Sequence, residues 1–166
     1  MDRTIDGLLE DWRRETSSTL KIFRALTDSS LGQRVTPDGR SLGFLAWHIV
    51  LAVGETGKKA GLTISLPPED SPVPDNARAI VDAYEATAAS IGNQIEEHWT
   101  GSSLEEEVHM FGQKWTRGFA LASLLRHQTH HRGQMTVLMR QAGLRVPGVY
   151  GPAREEWARM GIPAKP

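Results

Sequence analysis

Residues 117–142 read RGFALASLLRHQTHHRGQMTVLMRQA, and the fold turns on how this stretch is laid out. Thr116 is placed to cap a helix that Gly143 closes, with Arg140 in the last turn. Leu124, His127, His131, Gln134 and Leu138 recur at three- and four-residue steps and form one seam, with Leu121, Met135 and Ala142 beside it. Two imidazoles thus interrupt a face that should pack inward. Four residues of helix bring successive side chains onto one face about 6 Å apart along the axis, close enough to converge on a single ion.

Working outward, three further segments carry the same periodicity. Ile5, Leu8, Leu9, Trp12, Thr19, Phe23 and Leu26 predict a first helix over Thr4 to Leu26. After a turn at Thr36-Pro37-Asp38-Gly39, Ser41 is placed to cap a second helix from Leu42 to Lys59, apolar nearly all round in its first half. His48 interrupts that apolar half, with Phe44, Leu45, Leu51 and Ala52 as its helical neighbours. Gly61 stops the helix, and Leu62 to Pro74, holding Pro67, Pro68, Pro72 and Pro74, predicts an extended connector. Asp75 is the expected cap of a third helix whose stripe is Ala77, Ile80, Val81, Tyr84, Ala88, Ile91, Ile95 and Trp99. Beyond Gly101 the chain is expected to be loop, with a short extended stretch admitted near His109, Met110, Phe111 and Trp115. Pro152 opens a short terminal helix containing Trp157. Four amphipathic helices of similar length predict one all-α four-helix-bundle domain over residues 1–166, and the 13-residue connector 62–74 is long enough for a crossover.

The bulk numbers narrow the function classes. A formal net charge of −1 with scattered Lys and Arg gives no electrostatic case for nucleic acid or an anionic membrane surface. With no cysteine there is no disulfide framework, thiolate zinc site or cysteine nucleophile. Met1 to Leu20 is charged and amphipathic, unlike a signal peptide, and the longest apolar stretch, Phe44 to Val53, is too short to span a membrane. The expected compartment is the cytoplasm.

A buried imidazole needs a partner for each ring nitrogen. His48, His127 and His131 on inward faces of two helices are therefore either three core histidines, each bonded to a nearby carbonyl or carboxylate, or the ligands of one shared ion. His130 points about a third of a turn away from His131, and His98 and His109 carry no comparable pattern.

The stretch His127-Gln128-Thr129-His130-His131-Arg132-Gly133-Gln134-Met135 resembles the helix-four signature of the DinB/YfiT-like metalloenzyme superfamily. Leu45-Ala46-Trp47-His48-Ile49-Val50 resembles its second-helix motif, and the Pro147-Gly148 tail is also similar. The resemblance implies an up-down-down-up bundle with a crossover between helices two and three, commonly dimeric, in which His48, His127 and His131 hold one divalent metal ion. It further implies a metal-dependent transferase that moves a low-molecular-weight thiol such as bacillithiol, mycothiol or glutathione onto a small electrophile, in detoxification or stress response. Zinc is the first expectation for the ion, with nickel or iron admitted by the same imidazole set.

Three imidazoles leave such an ion an open position for a thiol or a water. Hydrolysis by metal-bound hydroxide is therefore an alternative, as is a non-enzymatic stress or binding protein stabilised by its metal. Two neighbours are candidates for catalytic support. Gln134 lies on the ligand face and either orients an imidazole or substrate or is a polar residue at the bundle end. Glu55, two turns after His48, is a base, an outer acceptor or a fourth ligand, or else a solvated acid beside Lys58 and Lys59. Arg132 should face away from the ion toward a salt bridge or phosphate, and Gly133, costly inside a helix, suggests close helix packing. Five tryptophans in this length, together with the resemblance, suggest a homodimer acting on a small-molecule substrate.

Overall fold

The computed structural model describes residues 4–161 and 163. Its main elements are α1 (Ile5–Phe23), α2 (Leu42–Lys59), α3 (Ala77–His98), the strands β1 (Glu107–Met110) and β2 (Gln113–Thr116), α4 (Arg117–Gln141) and a short α5 (Arg154–Trp157). Each long helix begins where a short polar side chain accepts an otherwise unpaired backbone N–H. Thr4 accepts from Gly7 at 3.1 Å, Ser41 from Phe44 at 3.1 Å and Thr116 from Phe119 at 3.2 Å.

The cap of α3 is Asn76, not Asp75. Asn76 has the extended backbone that a cap requires, with φ −128° and ψ 141°, and its side-chain oxygen receives the Ala79 N–H at 2.8 Å. Asp28 supplies the neighbouring cap from a distant turn, accepting the Ala77 N–H at 2.7 Å. Helix α1 stops at Phe23, short of Leu26, because the chain tightens into a 3₁₀ turn at Asp28–Ser30; Leu26 is nonetheless buried.

The relative directions of the helices follow from which residues meet. Arg13 reaches Glu96 and Arg24 reaches Glu85, so α1 and α3 are antiparallel. His48 meets His127 and His131 of α4, while Thr56 faces the same cavity as Ala120, so α2 and α4 are antiparallel too. The connector runs back along α2, placing Leu66 against Gly54, Ser71 against Trp47 and Val73 against Gly43. Ile91, late in α3, then lies against Gly57, late in α2, which makes those two helices parallel. The bundle is up-down-down-up, with the proline-rich connector as its crossover.

Two glycines of α2 permit this arrangement. A Cβ at Gly57 would stand 2.3 Å from Ile64 Cδ1 and 2.9 Å from Ile91 Cδ1, and one at Gly54 would stand 2.8 Å from Leu66. Gly133, where close packing was expected, is exposed with nothing near its missing side chain. Three of the five tryptophans, Trp12, Trp47 and Trp99, are buried in the chain's own core, while Trp115 and Trp157 are partly exposed.

The connection expected as loop contains a 3₁₀ turn, Gly101–Glu105, followed by a hairpin in which Val108 pairs with Trp115 and Met110 with Gln113. Four residues per strand give too short an alternation to stand out, and the turn lacks the usual Asn-Gly or Asp-Gly signal. The hairpin lies against α2 and α4, with Met110 fully buried beneath it.

Candidate metal centre

His48 in α2 and His127 and His131 in α4 come together between the two helices, each offering one ring nitrogen within 4.8 Å of the others. The Nε2 atoms of His48 and His127 are 3.2 Å apart, and those of His127 and His131 are 3.1 Å apart. His131 is nearly buried, whereas His48 and His127 are half-buried.

Proton bookkeeping shows what this cluster lacks. The Nδ1 of His131 lies 2.8 Å from Gln134 Oε1, an acceptor, so it carries the ring proton and leaves Nε2 bare. The Nδ1 of His127 is buried without a hydrogen-bond partner, and its Nε2 faces two other ring nitrogens. Wherever the single proton of a neutral His127 sits, one of its nitrogens is left unsatisfied. A fourth imidazole proton does not relieve this, because burial and the neighbouring His131, His48 and His130 push the His127 pKa down to about 4. Burial likewise lowers His48, with His131 and Arg40 adding to it, and lowers His131 against the opposing effect of the hydrogen bond that His131 donates to Gln134. The three rings are therefore neutral near pH 7, and with the His48 and His127 protons on Nδ1 the three Nε2 lone pairs converge, which is the state a cation binds. Nitrogen ligands about 2.0–2.1 Å from a tetrahedral ion lie roughly 3.3 Å from one another, close to two of the separations found here.

The surroundings of the cluster sort the remaining candidates. Gln134 is solvent-exposed and its amide oxygen is bonded to the His131 Nδ1. Glu55 stands outside the three-nitrogen cluster, pairs with Lys59 and lines a cavity of about 200 Å³ that also reaches His48 and His127. His130 is exposed, its ring edge-on to His131 at 4.9 Å, while His98 and His109 are exposed elsewhere. Phe44 stacks on His48 with centroids 6.0 Å apart, and the Arg40 guanidinium lies over the Phe44 ring, 5.1 Å from its centroid.

Arg132 turns away from the imidazoles, as expected, into a salt bridge. It is 2% exposed, donates to Glu15 Oε2 at 2.5 Å and to Thr19 Oγ1 at 2.9 Å, and also donates to the Tyr150 hydroxyl. Beside it the buried Gln128 accepts from Tyr84 at 2.6 Å, and burial raises the Tyr84 pKa to about 12. Glu15, Tyr84 and Tyr150 gave no sign of this role in the sequence. They come from different segments, and only the fold joins them to α4.

A helical bundle with three neutral imidazoles converging between two antiparallel helices, open to a small cavity, defines a class of candidate metal-centre proteins. This chain belongs to the DinB family, whose profile matches residues 1–165. It is 45% identical over 164 residues to the uncharacterized protein YrdA of Bacillus subtilis (strain 168), covering 99% of this chain and 98% of that protein. The crystal structure of a DinB-like protein from Bacillus cereus ATCC 10987 superposes with a TM-score of 0.86 at 43% identity, covering 90% of this chain and all of that one. A second DinB-like protein, YjoA of Bacillus subtilis, shares the fold at a TM-score of 0.64 and 21% identity, covering 82% of this chain and 92% of that one. Family membership and the three-histidine cluster fit metal binding. Among the described residues no helix is long and apolar enough to cross a membrane.

Proposed function

We propose that the protein is a metal-dependent transferase that joins a small thiol to an electrophile, with His48, His127 and His131 holding one divalent ion. The observation that carries this reading is the cavity of about 200 Å³ that opens directly onto His48 and His127. An ion that served only to fasten helices would need no such space. When bound, a divalent ion at three imidazoles supplies a Lewis acid that makes a thiol or a water nucleophilic near neutral pH.

The chain's own residues have defined parts in this reading. Gln134 holds the His131 ring in the tautomer that leaves Nε2 free. Glu55 is the one carboxylate on the cavity wall and is placed to accept the proton that the nucleophile gives up. The thiol must arrive as a co-substrate, since the chain has no cysteine. Detoxification or stress response in the cytoplasm, zinc as the ion, and a homodimer are parts of the same proposal.

Elemental analysis of the wild-type protein and of His48→Ala tests the centre. One divalent ion per chain, lost in the variant, is the expected result, and unchanged metal content removes His48 from the site. Thiol-dependent consumption of an electrophile such as a haloalkane or a quinone, abolished in His131→Ala, is expected of the loaded enzyme. Turnover that proceeds equally without thiol would assign the site to hydrolysis instead, a reading the nearby Glu55 carboxylate also suits. If there is no turnover but a strong metal dependence of stability, the ion's role is structural.

A further inference from the structure

The hairpin that roofs the cavity carries a costly residue at its turn. Phe111 and Gly112 form a two-residue loop in which both have positive φ, 50° and 76°. Two-residue hairpins favour this conformation, but Asn, Asp or Gly normally occupies the first position. A bulky side chain in the left-handed region is sterically strained. Folding does not recover that cost through burial, because Phe111 is 66% exposed.

What Phe111 does touch lies at the cavity mouth. Its ring meets Trp115 edge-on at 5.7 Å, Trp115 meets Phe119 at 4.9 Å, and the Lys59 ammonium sits 4.9 Å above the Phe111 ring. Lys59 is also paired with Glu55, so the hairpin tip is tied to α2 beside the carboxylate on the cavity wall. Phe111 and Trp115 line its mouth, and Ala52, Ala120 and Leu124 line it toward the imidazoles, with Thr56 and Ser123 beside them. The space, about 200 Å³, compares with the roughly 150 Å³ of an apolar cavity that takes up benzene. It suits one ring with a small substituent.

We propose that this cavity seats an uncharged single-ring aromatic group of the electrophile, gripped by Trp115 and Phe111 with its substituent toward His127. The proposal rests on the transferase reading for calling that molecule the electrophile, but not for its binding. Phe111 is then a specificity-determining residue, kept at a strained position because its ring completes the wall.

The test is a titration of the full chain with benzyl alcohol, and separately with 1-propanol, which is uncharged but has no ring, following the Trp115 indole resonance by NMR. Benzyl alcohol should shift that resonance saturably and 1-propanol should not. Phe111→Asn should weaken benzyl alcohol binding about tenfold while leaving the melting temperature unchanged or higher, since Asn-Gly suits the turn. Phe111→Leu, which keeps apolar bulk and loses the ring, should weaken binding in the same direction. An unmoved Trp115 resonance, or equal affinity in both variants, overturns the proposal. So does a change from dimer to monomer in Phe111→Asn with binding intact, which would mean that Phe111 packs against a second copy. The titration uses neither thiol nor turnover, so a failed transferase assay leaves it standing, and failed binding leaves the thiol chemistry to its own test.

Discussion

Gln134 shows how one residue sets the state of the cluster. Its amide oxygen takes the His131 Nδ1 proton at 2.8 Å, and the exposed position of the side chain means that this bond contributes little to packing. Gln134→Ala should therefore fold normally yet lower metal affinity by about 10–100-fold, the usual effect of removing a partner that orients a ligating imidazole. Competition against a chromophoric chelator reads this directly, and an affinity equal to wild type would show that the tautomer is set elsewhere. The pattern of inward histidines was visible in the sequence because the helical period alone places His48, His127 and His131. The orphaned Nδ1 of His127 was not visible, since a missing partner can be established only when every neighbour is known. Glu55 lay between these cases: spacing put it on the histidine face, but its pairing with Lys59 and its place on the cavity wall depend on how α4 and the hairpin close over α2.

At the scale of elements, the four long helices were legible to within a few residues, because each has a clear stripe and a Thr, Ser or Asn cap. The hairpin was not, because its eight strand residues and unusual turn carry little period-two signal, and its position depends on burying Met110 beneath it. The glycines make the point by contrast. Propensity treats Gly57 and Gly133 alike, but only Gly57 faces another helix. Gly57→Ala should destabilise by about 1–3 kcal/mol, because the new methyl would collide with Ile64 and Ile91 where α2, its connector and α3 meet. Gly133→Ala, on an open helix surface, should stabilise by up to about 1 kcal/mol. Denaturant unfolding of the two variants measures both signs. A loss at Gly133 would point to an unseen surface packed against that turn.

Over the whole molecule, the histidine cluster couples stability to pH and to metal in one direction. In the native chain burial and mutual repulsion hold His127 at a pKa of about 4, against an ordinary value of 6.5, and lower His48 and His131 as well. As pH falls below 6.5 the unfolded chain takes up protons that the native cluster resists, so stability is fully present above that value and declines toward pH 4. An ion bound by the three nitrogens would act in the same sense, since protons and metal compete for the same lone pairs and the unfolded chain has no assembled site. The melting temperature of metal-loaded protein should thus fall steeply between pH 7 and pH 4, and less steeply once a chelator is present. His131→Ala should make the two curves nearly coincide, because losing one ligand would break the tie between α2 and α4 that a bound ion would provide. Curves that stay separate in that variant would place the stabilising metal away from the imidazoles, whereas curves that coincide already in the wild type would mean that the cluster holds no ion that matters to folding.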